Sequence, residues 1–135
     1  MIDVALLIHF IGIIIGLGAV TVIDTMGFVS RKSKEWTQVT IKAHHVTKPL
    51  IWLGTSLMVI SWIFIFSGGM LDLVKTFFIL ILILNGLFLS FYVSRRLDKL
   101  YGKHVLLPKK LQTFIAISMV ISFIFWWGLV LITLL

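Results

Sequence analysis

VALLIHFIGIIIGLGAVTVI, the stretch from Val4 to Ile23, decides the fold class of this chain. Its 20 residues contain a single ionisable side chain, that of His9. Crossing the hydrocarbon layer of a membrane takes roughly 20 mostly apolar residues in a helix. A strand would alternate apolar and polar residues with a period of two, whereas this stretch is apolar on all sides, as lipid-facing helices are. The stretch therefore predicts a transmembrane α-helix.

Three further stretches of the chain have the same apolar character. They contain 17, 18 and 22 residues, and the residues outside the four runs suffice only for termini, helix ends and short loops. The three runs are Leu50–Phe66, Thr76–Val93 and Phe114–Leu135. The sequence thus predicts a single domain, an all-α integral membrane bundle of four transmembrane helices at about residues 4–23, 45–66, 75–95 and 112–135.

The composition agrees with a membrane protein and excludes several other classes. Hydrophobic residues make up 60% of the chain and charged residues 13%, against about 25% charged residues in ordinary soluble domains. The chain has no cysteine, which excludes a disulfide-stapled module and a thiolate metal site. The net charge of +7 does not indicate nucleic-acid binding, because no water-exposed domain remains to carry a basic face. The expected partner is a lipid bilayer.

The positive charges predict how the chain is oriented in the membrane. Eleven of the 12 Lys and Arg residues fall in two blocks, Arg31 to Lys48 and Arg95 to Lys110, which lie between spans 1 and 2 and between spans 3 and 4. By the positive-inside rule, these two connections face the cytoplasm and both termini face outward, in the plasma membrane. The N-terminus has no basic segment before its apolar run, so we expect the first span to be retained and not cleaved as a signal peptide.

The start of the second helix has two alternatives. Residues 33–45 contain good helix formers and no Gly or Pro, so the helix can begin near Glu35 and carry Pro49 in its interior. Alternatively, a fresh helix begins near Lys48 with Pro49 in its first turn, where proline is tolerated.

Two ionisable side chains lie at nearly the same level near the outer surface. His9 is five residues into the first span, about 8 Å deep, on one helix face with Gly12 and Gly16. That face of small residues can admit a flat ligand, or it can be a packing seam for another helix. Lys75 opens the third helix, where a lysine either binds an anionic group or extends to the headgroups without further function.

A second polar cluster is predicted at the cytoplasmic boundary. Asp24 ends the first span, while His44, His45 and Lys48 lead into the second, and counting helical rise places Asp24 and His45 both about 30 Å below the outer surface. An Asp24–His45 pair can relay protons, hold a divalent cation or simply satisfy itself. Asn85, near the middle of the third span, needs partners in lipid, and Ser56 and Ser118 are the expected ones.

The run His9, Phe10, Ile11, Gly12, Ile13 resembles the first-helix signature of the small membrane family that contains the HemJ-type protoporphyrinogen oxidases, with the CopD-like copper-resistance membrane domains as more distant relatives. Lys75 stands where that family has a lysine opening its third helix. The layout is also similar to that of short, uncharacterised bacterial membrane proteins. The chain departs from the family pattern at Gly16, where a tryptophan is common.

The resemblance implies a four-helix inner-membrane protein that binds haem b and oxidises protoporphyrinogen IX. It implies His9 as the ligand of the haem iron and Lys75 as the second catalytic residue. In a haem-binding protein, the face of small residues at Gly12 and Gly16 is then expected to admit the flat macrocycle. His9 and His45 cannot hold one haem, because their levels differ by about 24 Å and two nitrogens across an iron are about 4 Å apart. Met58, about 12 Å deep, is the candidate for the second axial position.

Three functions remain open at this point. The first is a haem b-binding redox protein that oxidises a porphyrinogen. The second is a small transport, proton-conducting or accessory subunit, with Asp24, His45 and Asn85 along a polar path. Because four helices have little interior, that function predicts a homo-oligomer. The third is a structural membrane subunit without chemistry.

Overall fold

The computed structural model describes residues 1–135 and contains helices, turns and loops but no strand. Four helices are each long and apolar enough to cross a membrane, which confirms the predicted all-α class and the number of helices. They are α1 (Ile2–Ser30), α2 (Lys34–Ile65), α3 (Met70–Leu100) and α4 (Lys109–Leu134).

The helices extend well beyond the apolar runs from which they were predicted. α1 continues seven residues past Ile23 to Ser30, and α2 begins at Lys34 with Pro49 in its interior, as the first of the two alternatives predicts. The side chain of Ser33 caps α2 by accepting a hydrogen bond from the backbone N–H of Trp36 at 3.2 Å. Helical geometry therefore propagates through the charged residues, since Lys and Glu are good helix formers and need no apolar face to continue a helix.

The short connection between α2 and α3 is held by one carboxylate. Asp72 accepts hydrogen bonds from the backbone N–H groups of Ser67 (2.8 Å) and Gly68 (3.1 Å) and from the Ser67 hydroxyl (2.7 Å). Gly68 has φ +89°, a left-handed conformation that favours glycine. Asp72 is thus occupied with the turn and does not pair with Lys75.

α3 changes its winding near its middle. Residues Met70–Phe88 and Ser94–Leu100 are α-helical, and Leu89–Val93 between them form one π-helical segment. Such π segments are rare and are often found at functional sites. Here the segment lies beside the cavity described below.

The four helices form two hairpins. α1 and α2 approach until their backbones touch: a Cβ on Gly12 would lie 2.7 Å from the carbonyl oxygen of Gly54, and a Cβ on Gly54 would lie 2.5 Å from the backbone nitrogen of Gly16. α3 packs on α4, where the ring of Phe78 lies against Gly128. Between the hairpins, α1 also meets α4, because the Trp126 ring lies on Gly16.

The two ends of the bundle differ in charge. We call the end that carries both termini and the 2–3 connection the terminal end, and the end that carries the 1–2 and 3–4 connections the basic end.

Core side chains of Ile13, Met58, Trp62, Ile79 and Leu129 fill the terminal half, together with Val20, Leu82 and Trp126 nearer the middle. A smaller core at the basic end comprises Ile41, Val93, Leu97 and Leu111. Large apolar side chains such as those of Ile14, Ile63 and Phe123 are exposed on the outside, as expected for contact with lipid.

Candidate functional site

His9 lies fully buried in the terminal half. Its Nδ1 is 3.1 Å from the carbonyl oxygen of Met58 and 3.1 Å from the hydroxyl of Ser61, which itself donates to the carbonyl oxygens of Leu57 (2.7 Å) and Met58 (2.9 Å). A carbonyl oxygen only accepts hydrogen bonds, so Nδ1 carries the hydrogen and donates it. In the neutral imidazole, Nε2 then bears a lone pair.

That lone pair has no partner. His9 Nε2 and the Thr133 hydroxyl are the two buried side-chain polar atoms of the chain that make no hydrogen bond. Leaving a buried acceptor unsatisfied costs about 1–3 kcal/mol, so such an atom in a folded protein calls for an explanation. Nε2 of His9 is therefore a candidate ligand atom.

Lys75 is buried beside His9 and does not extend to the headgroups. Its side chain is 5% exposed, and its Nζ lies 4.7 Å from the centroid of the Trp62 ring. The same Trp62 ring is 5.7 Å from the His9 ring, and its N–H donates to Thr76 at 3.0 Å. Lys75 forms no ion pair. The His9 imidazole, which lacks a hydrogen-bond partner at Nε2, and the Lys75 ammonium group, which lacks an ion-pair partner, thus both contact the Trp62 ring. We call His9, Met58, Ser61, Trp62 and Lys75 the terminal cluster.

Gly12 and Gly16 serve helix packing in this structure. The place of a side chain on Gly12 is taken by the backbone of α2 at Gly54 and Met58, and that on Gly16 by the Trp126 ring. Of the two alternatives for this face, the packing seam is the one observed, and the two glycines line no slot for a flat ligand.

The terminal cluster fits the ligation chemistry of a haem but does not enclose the space for one. A metal-binding histidine usually donates its other N–H to a carbonyl or carboxylate, as Nδ1 of His9 does to Met58. The side chain of Met58 has no exposed surface and is packed in the same core. However, His9 and Met58 have no accessible surface and Lys75 is 5% exposed, so the surrounding side chains leave no room beside them. A macrocycle at His9 therefore has to displace side chains of the terminal cluster.

A cavity of about 320 Å³ lies toward the basic end of the bundle. All four helices contribute to its wall, which is mostly apolar and includes Ile23, Ile51, Leu82 and Ile115. Cavities of about 300–1,000 Å³ are typical of small-molecule sites. The interior of a single chain thus provides a ligand-sized space without a second copy.

Four polar side chains of this wall lie at one level, one from each helix. Gly16 of α1 lies beside both Gly54 of α2 and Trp126 of α4, and both of these helices run antiparallel to α1. Counting eight residues from these contacts places Asp24 level with position 118 of α4 and within two residues, or about 3 Å, of His44 in α2. Asn85 of α3 bonds to Ser118 directly. We call Asp24, His44, Asn85 and Ser118 the polar ring.

His44, and not His45, shares the cavity with Asp24. Nε2 of His44 lies 2.6 Å from the Ser94 hydroxyl, whereas Nε2 of His45 lies 3.3 Å from an oxygen of Asp98 on the exposed surface. The depth calculation gave the correct level, but adjacent helical residues point about 100° apart. The Asp24–His45 pair is therefore not formed in this structure.

Asn85 is fully engaged in linking α3 to α4. Its amide group donates to the Ser118 carbonyl (3.2 Å) and the Ser122 hydroxyl (2.9 Å), and its oxygen accepts from the Ser118 hydroxyl (2.8 Å). The predicted bond to Ser118 is confirmed, while Ser56 is exposed and takes no part.

No three His, Cys, Asp or Glu side chains of the chain come together as a metal-binding group. His104, in the 3–4 connection, lies on the exposed surface with its Nε2 3.7 Å from a carboxylate oxygen of Glu35. Comparison of the chain with protein-family models, curated proteins and solved structures finds no match.

The sequence placed His44 in the cytoplasmic cluster but favoured His45 as the partner of Asp24, and it indicated no role for Trp62 or Trp52. A signal for His44 was present in the spacing of α2. Its inward-facing residues recur every three or four positions, and His44 continues that series whereas His45 interrupts it. The inward series is Thr37, Ile41, His44, Thr47, Ile51, Thr55, Met58 and Trp62.

Proposed function

We propose that the protein binds haem b through Nε2 of His9 and is a membrane redox protein, with a porphyrinogen as the substrate class that the family resemblance implies. The observation that carries the proposal is the fully buried Nε2 lone pair without a partner, on an imidazole whose Nδ1 is fixed by the Met58 carbonyl. That hydrogen bond orients the ring and raises its basicity as a ligand.

The other residues of the terminal cluster have distinct roles in this proposal. Lys75, buried without a carboxylate partner, binds a carboxylate of the haem or of the substrate as a compact cation. Trp62 contacts both the ammonium group and the imidazole through its ring. A bound haem supplies one-electron transfer, which none of these side chains provides by itself.

Haem entry requires the two hairpins to separate locally. The α1–α2 contact is a backbone contact at glycines and resists opening, whereas α3 meets α2 through side chains such as the Trp62–Thr76 pair. The proposal therefore expects the side chain of Trp62, and not the glycine seam, to move when haem binds.

The absorbance spectrum of the detergent-purified protein, as isolated and after dithionite reduction, tests the proposal. We expect a Soret band with α and β bands on reduction, lost in His9→Ala and retained in His104→Ala, whose histidine lies on the exposed surface beside Glu35. Porphyrinogen oxidation is then the next assay. A colourless wild type after haem is supplied, or an equal loss in both variants, contradicts the proposal.

The sidedness of the bundle belongs to the same proposal. The basic end faces the cytoplasm and the termini face outward, in the plasma membrane, because 11 of the 12 Lys and Arg residues lie between spans 1 and 2 or between spans 3 and 4. The terminal cluster then lies in the outer half of the bilayer and the polar ring in the inner half.

A second candidate function is the binding or transport of a small molecule without redox chemistry. It is supported by the cavity of about 320 Å³, which one chain lines with all four helices. Proton conduction and homo-oligomer formation, which accompany this candidate in the sequence, stay predictions.

A further inference from the structure

Asp24 differs from the other members of the polar ring because it has no partner. His44 bonds to Ser94, and Asn85 and Ser118 bond to each other. Asp24 lines the same cavity, half-buried, and makes neither a hydrogen bond nor an ion pair. A carboxylate within an apolar bundle is costly unless a cation or hydrogen-bond donor meets it.

We propose that the cavity at the basic end binds a small organic cation, an ammonium group on an apolar body, through the carboxylate of Asp24. The inference deepens the second candidate function and rests on it, since it names the ligand class of that cavity. It does not depend on haem binding at His9, which lies outside the cavity wall.

The wall beyond Asp24 suits an apolar or aromatic body. Trp52 lies six residues nearer the terminal end than the level of Asp24, about 9 Å away along the axis. Its indole N–H donates to Ser90 at 2.9 Å, and its ring lies 3.4 Å from the place of a Cβ on Gly86. The ring is thereby fixed against α3, where it contributes a flat apolar face to the cavity. A ligand with one aromatic ring can span from Asp24 to Trp52.

The cations near the cavity leave Asp24 unneutralised. Arg31, the residue after α1, also lines the cavity and is seven residues beyond Asp24, about 10 Å along the axis. Its guanidinium lies 4.2 Å from the centroid of the Phe28 ring. His44 is held by Ser94, and Lys48, one turn farther along α2, is not part of the wall. The interior of the cavity therefore carries one unpaired negative group, and a cationic ligand complements it.

The volume selects the size of the probe. At about 320 Å³ the cavity is near the lower bound of small-molecule sites, which excludes large polycyclic ligands and suits a single ring with a quaternary ammonium group. Benzyltrimethylammonium has that form. Benzyl alcohol and benzenesulfonate share the ring and replace the cation with a neutral and an anionic group.

Titration calorimetry on the full chain in a non-ionic detergent tests the inference. We expect benzyltrimethylammonium to bind the wild type more tightly than either control probe, and Asp24→Asn to weaken its binding by at least about tenfold, since a desolvated charge pair is lost. Asp24→Glu keeps the carboxylate and is expected to retain binding. Asp98→Asn removes the same charge from an exposed site at the basic end and is the matched control, with binding unchanged.

Three results overturn the inference. They are a wild type that does not bind the cation, equal binding of the neutral or anionic probe, and equal weakening in Asp24→Asn and Asp98→Asn. Because Asp24 makes no hydrogen bond, Asp24→Asn is expected to fold, which circular dichroism and gel filtration check. If the protein binds the cation but does not move it across vesicle membranes, transport is excluded from the second candidate function, while the binding inference stands.

Discussion

The two ends of the bundle differ in how their buried polar groups are packed. At the terminal end, His9, Trp62 and Lys75 are packed against one another within a filled core. Toward the basic end, the polar ring surrounds a cavity of about 320 Å³. The difference follows from glycine: Gly12, Gly16 and Gly54 let α1 touch α2 and Trp126, whereas Gly27 farther along α1 has only the Met119 sulfur, at 3.8 Å, near its missing side chain. Where the helix backbones approach closely, side chains fill the space between them. Where they do not, a ligand-sized cavity remains.

Adding a side chain at Gly54 is expected to have the largest effect, because it removes the cause of the difference. A Cβ there meets backbone atoms of Gly12 and Gly16 at 2.5–2.7 Å, and backbone cannot rotate away. We expect Gly54→Val to destabilise the protein by about 3 kcal/mol, measured by denaturant unfolding in detergent micelles. Gly18→Ala is the control, since nothing lies within 4 Å of its Cβ. Equal stability of the two variants would show that the α1–α2 seam does not hold the terminal end closed.

Replacing Lys75 is expected to have an intermediate effect of opposite sign. Lys75 is 5% exposed and has no carboxylate partner, so an apolar side chain of similar length removes a desolvation cost. We expect Lys75→Met to raise the stability by about 1 kcal/mol, measured as a higher midpoint of thermal unfolding, while losing any anionic ligand of the terminal cluster. The exposed Lys109→Met serves as the control. A loss of stability in Lys75→Met would mean that the contact of the ammonium group with Trp62 outweighs its burial.

The smallest expected effect is the difference in stability between variants of the two adjacent histidines at the basic end. His44→Ala removes a half-buried hydrogen bond to Ser94 and is expected to cost about 1 kcal/mol. His45→Ala removes an exposed pair with Asp98 and is expected to cost at most about 0.5 kcal/mol. Parallel denaturant titrations of the two variants measure the difference. A larger loss of stability in His45→Ala than in His44→Ala would show that His45, and not His44, stabilises the basic end.

Depth and helix number were predictable from the sequence because they depend on length and hydropathy alone. The levels of His9, Lys75 and Asp24 followed from counting helical rise, and each lies in the predicted half of the bundle. The direction in which each residue faces around its helix axis was harder to predict. His44 and His45 have the same depth, and only the inward spacing of α2 distinguishes them.

Features that depend on two helices at once could not be predicted from one sequence. Gly12 packs against α2 and does not line a ligand slot because Gly54 lies opposite it. Hydropathy does not predict the register that brings these two glycines together. The cavity is the volume left after all four helices have packed, so no single residue signals it. The end of α1 lies beyond the predicted one because the prediction followed the apolar run to Ile23, whereas the helix continues through Asp24 to Ser30.

The π-helical segment of α3 has a consequence for how this chain can vary. Before it, Asn85 bonds to α4; within and after it, Ser90 and Ser94 bond to Trp52 and His44 of α2. The segment accommodates about one extra residue per turn and so sets which side chains of the second half of α3 face α2. A related chain with one residue deleted between Leu89 and Val93 would keep every apolar span and every charge block, yet its α3 would present the wrong side chains to α2. In this helix, the number of residues is a constraint separate from their identity.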